Sequence, residues 1–255
     1  MQNRYFGDIG DFSKYGMLRV VIQCGLKIGI NWYLYPNEGH NEDGKHTAFL
    51  KRDKYRVEEC DPILYSFLKE KKNEIDIGVS ERSVSLVENS NILGETVYHS
   101  EMLNFTNSYW KDRPTYRKLW HQRSIEKLKS VQILFCDPDN GFEVPSVGQT
   151  RIKHGKYIEF YEVKKLIELG KTLIVYHHGP LWFKAGELAL YVRKLRNNII
   201  EQIQFNIPIV VLRWETTAPR FYFFLIRPEH YAHIVKCIDS LTNSNWGRHF
   251  KEVTS

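Results

Sequence analysis

Short apolar runs that empty into polar loops recur along this chain, and periodic apolar segments separate them. Residues 131–136, Val-Gln-Ile-Leu-Phe-Cys, form a run of strand length that is apolar on both faces, the pattern of a strand buried on both sides of a sheet. Residues 28–35, 172–176, 207–213 and 221–226 read the same way, and 82–87 and 96–103 add two further strands. Helical spacing marks 17–22, stopped at Gly25, then 61–72, 116–128, 158–169 (stopped at Gly170), 187–202 and 231–241. Only Thr216-Thr217-Ala218-Pro219 and its neighbours separate the runs 207–213 and 221–226, so these strands are expected to pair antiparallel. The pattern predicts one α/β domain spanning 1–255, a three-layer sandwich with a mostly parallel central sheet and an antiparallel C-terminal hairpin.

Composition narrows this only a little. An apolar share of 42% and a charged share of 26% over 255 residues are those of an ordinary globule that builds its core without staples. The four cysteines are far apart and form no Cys-x-x-Cys pair, so no zinc ribbon or redox motif is written and no metal site is expected. No apolar run spans a bilayer and no signal peptide is evident, which predicts a cytoplasmic protein with no membrane partner. The net charge of +6, with six Trp and fifteen Tyr, favours a polyanion, and nucleic acid (DNA above all) is the expected partner.

Candidate chemistry gathers where strands end. The run 131–136 stops at Asp137-Pro138-Asp139-Asn140-Gly141-Phe142-Glu143. Turn chemistry accounts for Pro138 and Gly141 but not for three acids on one short loop. In open α/β sheets ligands lie beyond the carboxyl ends of the strands, so Asp137, Asp139 and Glu143 are candidate catalytic groups, with Asn140 and Phe142 as substrate contacts. The run 28–35 empties into a loop containing His40 and Asn41, a candidate second wall. The run 172–176 empties into His177-His178-Gly179-Pro180-Leu181-Trp182. There His178 is the catalytic candidate, His177 and Trp182 are binding candidates, and one of the two histidines is expected to be a hydrogen-bonded core residue. Near the start, the glycine-punctuated stretch 4–16 supplies Asp8, Asp11, Lys14 and Tyr15. Asp8 and Asp11 read first as helix-start acids and second as an acidic contribution to the site. Arg151, Lys153 and Lys156 are candidate contacts to a nucleic-acid backbone.

Three resemblances bear on the chemistry. The strand and helix order of 131–226, with its terminal hairpin and Asp137-Pro138-Asp139-Asn140 after a strand, resembles the second half of a Rossmann-like methyltransferase. Asn140 stands where that family has an aromatic residue, and no glycine-rich turn for S-adenosylmethionine follows Tyr35. Asp137-Pro138, followed later by the His177–Leu181 loop, resembles the uracil-DNA glycosylase superfamily, although the two segments are closer together here. Gly7-Asp8-Ile9-Gly10-Asp11-Phe12-Ser13-Lys14-Tyr15-Gly16, with Asp137 to Gly141, also resembles a bacterial protein family to which the motifs bring no activity.

The expected function is a cofactor-free DNA glycosylase acting on a flipped base, ordinary or modified, in repair or in defence against phage DNA. Asp137 or Asp139 would orient water, His178 would donate to the leaving base, Asn140 would read its edge, and Phe142 or Trp182 would stack on it. The alternatives are an S-adenosylmethionine-dependent methyltransferase, a metal-dependent nuclease, whose acid-x-Lys pair is absent because Val144 and Pro145 follow Glu143, and a non-catalytic nucleic-acid-binding module.

Overall fold

The computed structural model describes residues 1–39, 44, 46–106, 108–180, 183–184 and 186–254. In chain order the elements are α1 (Ile9–Gln23), β1 (Ile28–Asn31), α2 (Pro62–Asp76), α3 (Ser85–Glu88), β2 (Val97–His99), α4 (Arg113–Lys127), β3 (Ile133–Cys136), β4 (Gly141–Phe142) and β5 (Tyr157–Ile158). There follow α5 (Phe160–Glu168), β6 (Thr172–His178), α6 (Glu187–Ile203), β7 (Ile209–Trp214), β8 (Arg220–Leu225), α7 (Tyr231–Thr242) and β9 (Phe250–Glu252).

Seven strands form one sheet in the order β2-β1-β3-β6-β8-β7-β9. The β2-β1, β1-β3 and β3-β6 pairs are parallel, whereas β8 runs antiparallel to both β6 and β7, and β9 antiparallel to β7. This is the α/β fold with a mostly parallel sheet and an antiparallel C-terminal pair that the pattern predicted.

Alternation along each strand divides the core into two faces. Ile133, Phe135, Ile174, Tyr222 and Phe224 pack with Phe12, Leu18, Leu64 and Ile234 of α1, α2 and α7. Leu134, Cys136, Leu173, Phe221 and Phe223 pack with Trp120, Val163 and Ile199 of α4, α5 and α6. Among the described residues no helix is long and apolar enough to cross a membrane.

Two expectations fail locally. Residues 82–87 do not form a strand: Ser85–Glu88 is a short helix that buries Val87, with Val84 buried just before it, a spacing of three that suits helix rather than strand. And the stretch before Met17 is not a loop, because α1 already starts at Ile9, capped by Asp8, whose carboxylate accepts the Asp11 N–H at 2.8 Å. Its glycines answer to distant packing. A Cβ on Gly16 would stand 2.0 Å from Trp246 Cη2, and one on Gly10 would stand 2.6 Å from Arg220 Nε.

Candidate active site

The chain reverses its lateral direction between β1 and β3, the position where open α/β sheets form a crevice. Met1 fills that position here. Its ammonium donates to Asp137 O (2.7 Å) and Tyr33 O (3.3 Å) and pairs with Asp139 Oδ1 at 2.8 Å. The open space lies beside it, beyond the carboxyl ends of β3 and β6 and the start of β8. This cavity of 450 Å³ is lined by Asp8, Gly10, Asp11 and Lys14 of the α1 region, by Asp139, Asn140 and Lys156, by Tyr176 and His178 of β6, and by Arg220 of β8, with Tyr5, Gly44, His46, Thr217 and Ala218 at its margins.

Strand alternation decides which histidine reaches it. Tyr176 and His178 share the α1 face of β6 and line the cavity, whereas His177 points to the other face. His177 Nδ1 accepts the Phe142 N–H at 3.2 Å, and Nε2 lies 2.6 Å from the Tyr191 hydroxyl. Burial, reinforced by His178, depresses its pKa to about 3, so it stays neutral. His177 is therefore the core histidine of the pair.

The carboxylates form a linked set. Lys14 Nζ lies 2.9 Å from Asp137 Oδ2 and 3.2 Å from Asp11 Oδ1, and all three side chains are almost wholly buried. Tyr15 donates its hydroxyl to Asp11 Oδ2 at 3.0 Å. Burial works against the Lys14 charge, yet Asp137 and Asp11 hold its pKa well above the ordinary value. Asp11 moves the other way. Burial raises its pKa to about 7, Lys14 opposes the rise, and Asp8 and Asp137 add to it. Asp139, where burial alone would have the same effect, is lowered because the Met1 ammonium and Gln2 Nε2 (2.6 Å) hold its oxygens.

The structure thus brings Asp8, Asp11, Lys14, Asp139, Asn140, Lys156 and His178 to one cavity. Asp137 stands behind them: it is 1% exposed and absent from the lining, and its Oδ1 has no hydrogen-bond partner among the described residues. Its Oδ2 instead pairs with Lys14 at 2.9 Å. Tyr15 is likewise fully buried behind Asp11.

Two expected contacts are corrected outright. Glu143 does not line the cavity, because its carboxylate accepts the Phe160 N–H at 2.7 Å at the start of α5. Phe142 is 1% exposed and stacked on Phe160 at 5.9 Å, so it has no free face for a base. Asn140-Gly141 serves this packing: Gly141 has φ +97°, and a Cβ there would stand 2.0 Å from His177 Nδ1. Arg151 and Lys153 are exposed and away from the cavity, whereas Lys156 bonds Glu38 and lies 3.9 Å from Asp139. His40, Asn41 and Trp182 lie outside the described residues.

Sequence reasoning missed Tyr176, His46 and Arg220. Arg220 carried a signal, a lone charge opening a run that is otherwise Phe221-Tyr222-Phe223-Phe224.

Among the described residues no group of three or more His, Cys, Asp or Glu side chains converges as a metal site. Compared with known proteins, the chain matches no family model, and no curated protein shows significant similarity to it.

Proposed function

We propose that the cavity binds one nucleotide of a DNA strand and hydrolyses its N-glycosidic bond. One observation carries this reading: a buried carboxyl, Asp11, is held near neutrality in the wall of a polar cavity that also presents Asp139, Asn140 and His178. A carboxyl of that pKa exchanges protons with a reacting group at physiological pH, which an ordinary aspartate does poorly. Water is delivered to the sugar C1′ as the bond to the base nitrogen breaks. Asp11 takes the water proton, the departing base leaves with a proton from His178, and the sugar keeps the hydroxyl. Asp139, which stays ionised, stabilises the positive charge that develops on the sugar ring. Asn140, in the cavity lining, reads the base edge.

A second reading, methyl transfer, is favoured by one feature. The reversed strand β8 lies between β6 and β7, as the methyltransferase resemblance implies for its terminal hairpin. Against it, Met1 and the buried Tyr33 fill the end of β1 where that resemblance puts a glycine-rich turn.

Incubating the protein in chelator with ordinary and modified phage DNA, followed by an abasic-site assay, tests the reading. Alkali-labile sites formed by the wild type and lost in Asp11→Asn are expected. Their absence, together with a thermal shift on adding S-adenosylmethionine, would replace base excision with methyl transfer.

A further inference from the structure

Arg220 is a cavity cation that the chemistry above leaves unused. It opens β8, is 8% exposed, and lies across the first turn of α1 in space that only a glycine at position 10 leaves open. Nη1 donates to Thr217 Oγ1 at 2.8 Å and to Ala218 O at 3.1 Å, which fixes the plane of the guanidinium. Among the described residues no carboxylate oxygen comes within 4.0 Å of it.

The nearby acids are engaged elsewhere. Asp8 accepts the Asp11 N–H, Asp11 is held by Lys14 and Tyr15, and Asp139 is held by Met1 and Gln2. The other cavity cations are matched, Lys14 by Asp137 and Lys156 by Glu38. Burial works against the Arg220 charge, but the Tyr176 hydroxyl and the field of Asp8 outweigh it, so the group stays cationic. A buried guanidinium with its plane fixed, facing a polar cavity and without a carboxylate mate among the described residues, is built for an anion from outside, and its fork fits two oxygens of a phosphate.

We propose that Arg220 is a phosphate clamp, and that the cavity selects a nucleotide by its phosphate as well as by its base. The inference rests on the nucleotide reading of the cavity and adds the phosphate subsite. The phosphate sits at the corner between α1 and β8, and the walls around Asp139, Asn140 and His178 are left to the sugar and base. A phosphodiester and a terminal phosphate share this chemistry.

Titration calorimetry tests it without requiring turnover. Wild type is titrated with a deoxynucleoside, its 5′-monophosphate, inorganic phosphate and a short single-stranded oligonucleotide. The monophosphate is expected to bind at least tenfold more tightly than the nucleoside, and inorganic phosphate is expected to compete with it. The preference disappears in Arg220→Gln and survives in part in Arg220→Lys, which keeps the charge without the fork. Tighter binding of the oligonucleotide marks a strand as the source of the phosphate, and tighter binding of the monophosphate marks a free nucleotide. Equal binding of nucleoside and monophosphate by wild type, or no binding of either phosphate compound, would overturn the clamp, as would a preference that persists in folded Arg220→Gln. If Arg220→Gln does not fold, the wild-type comparison and Arg220→Lys still decide. A phosphate preference without abasic sites would instead refute base excision and leave the clamp standing.

Discussion

Lys14 and Asp137 are 123 residues apart in the chain, and their charged atoms lie 2.9 Å apart with both side chains almost wholly buried. The pair ties the first turns of α1 to the end of β3, and Asp11 draws its own environment from it.

Replacing both partners is therefore expected to cost less than the two single replacements added together. Lys14→Met leaves Asp137 buried without its cation and should destabilise the fold by about 3–5 kcal/mol. Lys14→Met with Asp137→Leu should cost less than the sum of the single changes. Urea denaturation of the two single variants and the double variant measures the difference, and strict additivity would sever the two residues energetically.

Asp11 makes an inverted pH prediction. Its pKa is raised on folding from 3.8 to about 7, so the folded chain binds the proton more tightly than the unfolded chain. The stability it contributes is fully present below about pH 4 and is lost as the pH rises towards 7. Asp11→Asn, which cannot ionise, should lack this decline. The difference between wild type and variant in urea midpoint, followed from pH 4 to 8, reads out Asp11 together with the groups coupled to it.

The same substitution should lower base release by roughly 10²–10⁴-fold while the fold persists. In wild type the rate should inflect near pH 7. A variant with an unchanged rate and profile would remove Asp11 from the chemistry.

His177 should be silent where an ordinary histidine titrates. With a pKa near 3 its ring resonances should not move between pH 5 and 8. His177→Phe, which breaks the bonds to Phe142 N and Tyr191, should cost about 1–3 kcal/mol. Ring chemical shifts followed by NMR, and a chemical melt of the variant, check the two halves separately.

Gly16→Ala should reverse the usual sign. Alanine in place of glycine inside a helix ordinarily gains about 1 kcal/mol. Here the new methyl would meet Trp246, and a loss of about 1–3 kcal/mol is expected in thermal or urea unfolding.

These residues also show what a linear reading captures. The buried runs ending at Cys136 and Tyr176 were legible because a strand covered on both faces is apolar at every position. The loops they feed were legible for the same reason, since Asp139, Asn140 and His178 interrupt that pattern. Asp8 was legible as a cap. The first turns of α1 were not, because Gly10 and Gly16 look like breaks in a helix until Arg220 and Trp246 are set against them. Phe142 and Glu143 misled for a related reason. A short loop displays its residue types in sequence, but whether a side chain turns to solvent or to a neighbouring helix depends on partners such as Phe160.

The glycines of α1 carry a consequence for timing. The helix that supplies Asp11 is made well before the side chains that seat it, Arg220 and Trp246. Closing such a long loop is slow, and until then the apolar face of α1, with Phe12 and Leu18, has little to cover it. A chain still being synthesised would thus hold an acid without a pocket. The seat of the helix is complete only when the indole of Trp246 docks on it, so a refolding experiment is expected to show Trp246 fluorescence changing in step with the recovery of whatever binding the cavity supports.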